Sequence, residues 1–272
     1  MRLGLIGHGS VAGQALAAMA KEIASPLEAL IALARPESAA KARDALAPFE
    51  GGLFKEVIIA SDMAAFLAQR PSVAAEAAGH AAVSQCGPAL LSAGVDFIVT
   101  SAGALASAET RKALDEAARA GHANWDICAG AVGGLDILAA ARLSGISEVL
   151  YTSRKPPKAW RGTPAEALVD LDHIDNAATF YEGSAERAAR DYPQNANVAA
   201  TIALGGAGFE RTRVRLIADP SVTRNVHEIA IRSGCADVEI RIAGTPSADN
   251  PKTSLTTGFA LAAQLLHISR QT

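Results

Sequence analysis

The chain has 272 residues, of which 50% are hydrophobic and 19% are charged, and its net charge is −3. This length and apolar content predict one large or two ordinary globular domains, and the lack of basic excess argues against binding to nucleic acid. No apolar run approaches the ~20 residues that span a bilayer, and segment 1–7 is too short and too broken by glycine for a signal peptide. We therefore expect a soluble, cytoplasmic protein without nucleic-acid or membrane partners.

The first 130 residues alternate short apolar runs with alanine-rich segments of helical spacing. Continuous apolar strands separated by helices are typical of a parallel sheet that is buried on both faces. The pattern predicts a doubly wound α/β domain, a Rossmann domain, over residues 1–130. The predicted strands are 2–6, 27–34, 57–60, 73–77, 97–100 and 124–128, and the predicted helices are 11–22, 38–45, 81–93 and 109–120.

The pattern changes after Gly133 and Gly134, where several strand-like runs follow one another with few helices between them. Consecutive strands of this kind favour a mostly antiparallel sheet. We expect a smaller α+β domain for substrate binding and dimerisation over residues 131–252, with a basic, proline-stiffened loop at 154–158. The helix 253–268 is expected to pack back near the first domain. The predicted strands are 148–153, 177–182, 211–218, 226–232 and 238–242, and the other predicted helices are 135–143, 185–191 and 197–204.

A glycine-rich segment, Gly-His-Gly-Ser-Val-Ala at 7–12, directly follows the first predicted strand and opens a helix. This is the G-x-G-x-x-A pattern of dinucleotide sites in its strand–turn–helix context. Gly7 permits the tight turn, Gly9 lets a pyrophosphate approach the backbone, and Ala12 lets helix and strand pack closely. The start of the helix offers N–H groups to phosphate. A turn that serves packing only is the alternative. The expected cofactor contacts are Gly7, Gly9, Ser10, Val11 and Ala12.

The end of the second predicted strand decides between NAD and NADP. The chain has Ala-Arg-Pro-Glu-Ser at 34–38, with no obvious carboxylate directed at the ribose. Arg35 can pair with a 2′-phosphate and Ser38 can donate a hydrogen bond to it, whereas Glu37 lies close by. We expect NADP to be accepted alongside NAD, with Arg35 as a cofactor contact. The alternative, that Arg35 is a solvated loop residue, stays open.

Six further segments occur in a recognisable order and spacing over nearly the whole chain. They are Ser-Ala-Gly-Ala-Leu at 101–105, Gly-Ala-Val-Gly-Gly-Leu-Asp at 130–136, Thr-Ser-Arg-Lys-Pro-Pro at 152–157, Pro-Gln-Asn-Ala-Asn-Val-Ala-Ala at 193–200, Asn-Val-His-Glu at 225–228 and Asn-Pro-Lys-Thr-Ser at 250–254. Together they resemble the L-aspartate dehydrogenases. The chain departs mildly from that family in its glycine loop, which leaves the cofactor preference open, and in the Asp-Tyr that precedes Pro193.

The resemblance implies oxidative deamination of L-aspartate to iminoaspartate, hydrolysis to oxaloacetate and ammonia, and the reverse reductive amination. In some organisms iminoaspartate feeds NAD biosynthesis instead. The resemblance also implies a homodimer with an N-terminal Rossmann domain. Carried over residue by residue, it makes His227 the catalytic residue and places cofactor contacts at Ala131 and Asn197.

The residues around His227 leave two interpretations open. In the predicted strand 226–232, His227 alternates onto the face of Ile229 and Ile231. A histidine there is either hydrogen-bonded in the core, which the residues alone favour, or directed into a cleft. Histidine is the side chain best suited to move a proton near neutral pH. Combined with the resemblance, His227 is the candidate base that activates water to attack the imine.

The two carboxylates of aspartate need cationic or N–H partners. Lys252 lies just before a helix that Thr253 or Ser254 opens, and the segment 154–158 offers further cations. Either feature also has a structural interpretation, as a cap neighbour or as a solvated turn. The expected substrate contacts are Arg154, Lys155, Lys252 and Thr253.

Two other groups of residues are given no functional role. The cysteines Cys86, Cys128 and Cys235 are far apart, which argues against a disulfide framework and a thiolate metal site. We expect Cys128 to act as a small buried hydrophobe. Acidic residues and a histidine cluster at 170–175, but hydride transfer needs no metal and we expect none to bind.

Two other function classes stay open. The closest is another Rossmann reductase of an acidic carbonyl or imine, similar to homoserine dehydrogenase or dihydrodipicolinate reductase. Of these classes, only an aspartate dehydrogenase is expected to turn over oxaloacetate in a reaction that depends on ammonia. The other class is a non-catalytic dinucleotide sensor, which predicts cofactor binding without turnover.

Overall fold

A computed structural model describes residues 1–247 and 254–271. The chain divides into two compact units, the first formed by Met1–Gly130 with Thr257–Thr272 and the second by Ala131–Thr256. None of the helices in these described ranges is long and apolar enough to cross a membrane.

The helices and strands alternate through the first half of the chain, and strands dominate the second half. The strands are β1 (Arg2–Ile6), β2 (Leu27–Leu33), β3 (Phe54–Ala60), β4 (Val73–Glu76), β5 (Asp96–Val99), β6 (Trp125–Ile127), β7 (Ile146–Lys155), β8 (Ala178–Ser184), β9 (Thr212–Ala218), β10 (Val226–Ser233) and β11 (Asp237–Ala243). The helices are α1 (Ser10–Glu22), α2 (Ala39–Leu46), α3 (Met63–Ala68), α4 (His80–Ser92), α5 (Ala108–Gly121), α6 (Leu135–Ser144), α7 (Ala185–Asp191), α8 (Ala196–Gly205) and α9 (Leu255–Ser269).

The first unit contains a six-stranded sheet in the order β3-β2-β1-β4-β5-β6. Every neighbouring pair is parallel, which is the doubly wound order that the alternating pattern predicts. The order reverses between β1 and β4, so the carboxyl ends of these strands, Ile6 and Glu76, lie side by side. Ligands of such sheets bind at this reversal, which directs attention to the loops that follow β1 and β4.

The second unit contains a five-stranded sheet in the order β11-β10-β7-β9-β8. All its neighbouring pairs are antiparallel except β7 and β9, which confirms the mostly antiparallel prediction. In the central pair, Ser153 of β7 stands opposite His227 of β10, and Tyr151 stands opposite Ile229. These residues therefore share one face of the sheet.

Two sequence-based predictions were wrong in detail. Helix α3 was missed because its six residues are too few to show a helical period. Its start is nevertheless marked by Asp62, whose carboxylate accepts a hydrogen bond from the Ala65 amide at 2.8 Å. The predicted loop 154–158 begins two residues too early, because Arg154 and Lys155 continue β7 and pair with β9. Pro156 and Pro157 then end the strand, since proline cannot donate to the ladder.

Candidate active site

The glycine loop between β1 and α1 has the backbone that a dinucleotide phosphate requires. Gly7 has a φ of +95°, and a Cβ there would lie 2.6 Å from the Ala77 carbonyl oxygen. Gly9 caps α1 with an ordinary φ of −84°, and a Cβ there would meet nothing within 4 Å. Ala12 is fully buried against the sheet. Open space therefore faces the N-terminus of α1, and the residues present fit a pyrophosphate.

The carboxyl edge of this sheet is braced by Glu76, a residue to which the sequence analysis gave no role. Its fully buried carboxylate accepts hydrogen bonds from the amides of Ala78 and Gly79, each at 2.7 Å. It also accepts from the Ser101 amide and hydroxyl, each at 2.9 Å. Glu76 thus holds together the loops that follow β4 and β5. The available signal was a carboxylate that ends the apolar run Val-Ala-Ala-Glu.

Arg35 lies just past the end of β2, where the second ribose of a dinucleotide is recognised in this fold. Its side chain is 84% exposed and its Nε lies 3.2 Å from an oxygen of Glu37. The Ser38 hydroxyl donates to the Arg35 carbonyl at 3.0 Å. An accessible guanidinium and a carboxylate therefore stand next to each other at this position.

His227 lies on the buried face of β10 together with Ile229 and Ile231, and is 5% exposed. Its Nδ1 lies 2.8 Å from the hydroxyl of Tyr151, and the two rings are stacked. Burial, together with the charge of Lys155, lowers the pKa of His227 to about 4. Burial raises the pKa of Tyr151 far above its ordinary value. The imidazole is therefore neutral at physiological pH and the phenol keeps its proton.

Lys155 ends β7, and among the described residues it contacts neutral groups rather than a counter-ion. Its Nζ donates a hydrogen bond to Oδ1 of Asn195 and lies 4.7 Å from the centre of the Trp160 ring. The solvated turn that was the alternative for this residue is thus not what the structure shows. Lys155 retains some exposed surface, yet protein surrounds most of it, and desolvation lowers the pKa of its amine to about 8.

Arg154 points to the other face of β7 and is held by two carboxylates. Its guanidinium lies 2.8 Å from Asp219 and 3.6 Å from Glu228. Because its charge is already compensated within the protein, Arg154 has less to offer a substrate carboxylate than Lys155 has.

A pocket of about 470 Å³ lies beyond the C-terminal end of β7 and the N-terminal end of β10. Four cationic residues line it, and none of the described lining residues is acidic. Asn225, two residues before His227, belongs to the lining, as does Lys155. The cationic residues are Lys155, Lys158, Arg161 and Arg224.

The remaining expected contacts lie in different places. Ala131 is the first residue of the second unit and is half-buried, and Asn197 is exposed in the first turn of α8. Lys252 and Thr253 lie outside the described residues. Ser254, which follows them in sequence, lines the pocket. Cys128 is buried, and desolvation raises the pKa of its thiol to about 11, so it packs as a small hydrophobe.

The sequence analysis missed the partners of these residues. Tyr151, Ser153 and Lys155 occupy every second position of one strand and so share a face. This Tyr-x-Ser-x-Lys pattern was the available signal that they lie together. Asn195 lies in the segment 193–200 that was used only for the resemblance. What the sequence did not contain is the pairing of β7 with β10, which brings Tyr151 to His227.

Comparisons with known proteins agree with the resemblance. The family model described as aspartate dehydrogenase, C-terminal, matches residues 136–268, and that of the homoserine dehydrogenase NAD-binding domain matches residues 7–127. The L-aspartate dehydrogenase of Ralstonia pickettii is 39% identical over 97% of this chain and 96% of its own length. That of Polaromonas sp. is 46% identical over 74% of this chain and 75% of its own length.

Solved structures show the same fold. An aspartate dehydrogenase from Thermotoga maritima superposes with a TM-score of 0.74 at 24% identity, covering 98% of this chain and 96% of that one. A dihydrodipicolinate reductase from Paenisporosarcina sp. covers 98% of this chain and 95% of its own, but with a TM-score of 0.52 and 12% identity. The chain belongs to the L-aspartate dehydrogenase family, whose members are NAD(P)-dependent oxidoreductases that act on a CH–NH2 group.

Proposed function

We propose that this protein oxidatively deaminates L-aspartate to iminoaspartate, which hydrolyses to oxaloacetate and ammonia, and that it also catalyses the reverse reductive amination. The observation that carries the proposal is the cation-lined pocket beyond the C-terminal end of β7, whose lining includes Asn225, two residues before the buried neutral His227. Family membership supports the reaction class, and the pocket supports the substrate class.

The pocket has room for a small dicarboxylate and carries the charge to bind one. At about 470 Å³ it falls within the ~300–1,000 Å³ of small-molecule sites. Arg161 is paired with Asp172, and Arg224 bonds the Thr245 hydroxyl at 3.5 Å, so these guanidinium groups are already oriented. Lys155 and Lys158 lie without a carboxylate partner among the described residues. We assign Lys158, with Lys252 and Thr253 from the sequence analysis, to the substrate carboxylates, and Lys155 to a contact with the substrate amino group.

The pyrophosphate of the dinucleotide belongs to the first unit. The loop after β1 holds the pyrophosphate through Gly7, Gly9 and the first turn of α1, Ser10 to Ala12. When bound, the nicotinamide accepts the hydride that leaves Cα of the substrate. We assign Ala131 and Asn197 to cofactor contacts and Arg35 to the 2′-phosphate of NADP. Glu37, beside Arg35, provides the hydroxyl acceptor that NAD needs, so both dinucleotides are accepted.

His227 is the catalytic residue of the proposal. Its Nδ1 is occupied by Tyr151, which leaves Nε2 as the ring atom that meets the substrate. Stacking on Tyr151 fixes the plane of the ring. A fixed and neutral imidazole orients the reacting carbon and polarises the nitrogen or oxygen attached to it.

The cellular setting of the proposal follows from the same family. We propose a homodimer that acts in the cytoplasm on small molecules, with no nucleic-acid or membrane partner, and that can pass iminoaspartate to NAD biosynthesis. Light scattering of the purified protein gives the oligomeric state directly, and a monomeric mass would contradict the dimer.

The experiment that tests the function measures oxidation of NADPH and NADH with oxaloacetate, with and without ammonium, for the wild type and His227→Ala. We expect turnover only with ammonium, and loss of it in the variant. Turnover without ammonium would instead identify a carbonyl reductase. Firm dinucleotide binding without turnover would identify a sensor.

A further inference from the structure

Four polar side chains of the second unit share one face of the sheet beside the pocket. Tyr151, Ser153 and Lys155 alternate along β7 and therefore point the same way. His227 stands directly opposite Ser153 on β10 and is thus the diagonal neighbour of both Tyr151 and Lys155. The strand register, rather than any loop, fixes this arrangement.

The hydrogen bonds of the cluster select one tautomer of His227. The phenol of Tyr151 is fully buried and keeps its proton, because burial raises its pKa, so it can donate a hydrogen bond. Nδ1 of His227, 2.8 Å away, is the atom placed to accept this hydrogen. With Nδ1 as the acceptor, the neutral ring carries its proton on Nε2. Within residues 1–247 and 254–271, no hydrogen-bond partner of Nε2 is found.

This tautomer makes His227 a poor proton acceptor. A second proton would have to enter at Nε2, and burial and the nearby Lys155 charge both oppose the imidazolium, so the pKa falls to about 4. General bases work best when their pKa lies near the working pH. His227 is suited to donate a hydrogen bond from Nε2 instead, as neutral histidines do in other enzymes.

Lys155 is better suited than His227 to accept a proton. Among the described residues, its Nζ contacts an amide oxygen and an aromatic face, and it lines the pocket. In the described part of the chain no carboxylate lies within ion-pair distance of it, so nothing there fixes its charge. Asp219, whose amide bonds the Lys155 carbonyl, directs its own carboxylate to Arg154 and Ser221.

Among the residues that the structure describes, the other ionisable groups around Lys155 are cationic or neutral. They come from the same strand, from β10, from the loop after β7 and from the loop between β9 and β10. They are Tyr151, His227, Lys158, Arg161 and Arg224. The cationic neighbours disfavour the ammonium form of Lys155, and the neutral neighbours carry no charge that would stabilise it.

Resting on the proposed function, we propose that Lys155 accepts the proton that the substrate ammonium group loses before oxidation, while His227 stays neutral and donates a hydrogen bond from Nε2. The lone pair of Nζ takes one proton, and the broken N–H bond leaves its electron pair on the substrate nitrogen. That pair forms the C=N bond as hydride leaves Cα to the oxidised dinucleotide. The resulting Lys155 ammonium then returns its proton to solvent.

The test is the pH dependence of kcat for aspartate oxidation at saturating dinucleotide. We expect the wild-type rate to rise with an inflection near pH 8, where Lys155 loses its proton. Lys155→Met should lower kcat about 100-fold or more and lose this inflection, with unchanged dinucleotide affinity. His227→Gln, which retains a donor, should lower kcat but keep the inflection. Lys112→Met, a change on exposed α5, is the matched control and should alter neither.

Two results would overturn the inference while the wild type oxidises aspartate: an inflection near pH 8 that survives in Lys155→Met, or one that is lost in His227→Gln. A wild type without aspartate oxidation would overturn the proposed function itself. Nitrogen NMR of the wild-type His227 ring needs no activity. It should show the neutral Nε2–H tautomer down to about pH 5, and an Nδ1–H tautomer or an imidazolium at pH 7 would contradict the proposal.

Discussion

Among single residues, His227 is expected to make the stability of the protein depend on pH. Burial and the charge of Lys155 lower its pKa to about 4, whereas the unfolded chain has the ordinary value near 6.5. Between these two pH values the unfolded state binds a proton that the folded state does not. The free energy of unfolding therefore falls as the pH drops from 6.5 towards 4. At pH 7 the titration of this residue has almost no effect on it.

Replacing His227 by glutamine should remove this acid sensitivity. We expect the loss of unfolding free energy between pH 7 and pH 4.5 to be smaller by about 2–3 kcal/mol in His227→Gln than in the wild type. Urea unfolding at the two pH values measures it. The control is His173→Gln, because His173 is exposed and, among the described residues, is paired with Asp170 alone. An equal pH dependence in His227→Gln and wild type would contradict the low pKa.

Arg35 is expected to decide the preference between the two dinucleotides. Its exposed guanidinium is free to meet a 2′-phosphate, apart from its contact with Glu37. Arg35→Asp should weaken NADP binding about 10-fold or more and leave NAD binding equal or tighter, because like charges repel. Fluorescence titration measures both affinities. The control is Lys21→Asp, in the last turn of α1 and away from the glycine loop. Unchanged NADP affinity in Arg35→Asp would refute the role of Arg35 in binding the 2′-phosphate.

Among the helices and strands, the β1–α1 turn was predictable from sequence and can be tested by a single methyl group. A Cβ at Gly9 meets nothing within 4 Å, so Gly9→Ala should leave stability nearly unchanged. The methyl group would project into the space where phosphate must approach, and we expect dinucleotide affinity to fall about 10-fold or more. Isothermal titration measures it, with Gly52→Ala, which also meets nothing, as the control. Equal affinity in Gly9→Ala and wild type would place the pyrophosphate elsewhere.

The ends of β4 and β5 depend on one buried carboxylate. In Glu76→Gln one carboxylate oxygen becomes an amide NH2, which cannot accept a hydrogen bond. At least one of the amides of Ala78, Gly79 and Ser101 therefore loses its acceptor. We expect a loss of about 2–3 kcal/mol in unfolding free energy, the range for bonds to charged groups. Urea unfolding tests this, with the exposed Glu116→Gln as the control. A loss below about 0.5 kcal/mol would show that the network contributes little.

The end of β7 shows where reasoning from local sequence stops. The basic residues and two prolines at 154–158 are typical of a solvated loop, yet Arg154 and Lys155 are strand residues. Strand length here is set by the partner β9, whose Ile217 and Ala218 continue the ladder. Local composition carries no information about a partner that lies more than sixty residues away, as the 65-residue separation of Arg154 and Asp219 illustrates.

For the whole molecule, the sequence predicted what depends on periodicity and left out what depends on pairing. The first unit was predictable because a parallel sheet buried on both faces needs continuous apolar strands separated by helices. The Gly7–Gly9 turn followed from the same context. The contact of Tyr151 with His227 joins residues 76 apart and exists only because β7 pairs with β10 in one register. The low pKa of His227 depends on burial and on the charge of Lys155, neither of which local sequence reveals, and its role as a base stays a prediction.

The central claim is that this protein moves a hydride from Cα of L-aspartate to a dinucleotide. The most direct measurement uses L-aspartate with deuterium at Cα, oxidised dinucleotide and mass spectrometry of the reduced dinucleotide. The account predicts that the reduced dinucleotide carries the deuterium with the wild type and that His227→Ala forms far less of it. Reduced dinucleotide without deuterium, or none formed by a protein that binds the dinucleotide firmly, would contradict the account.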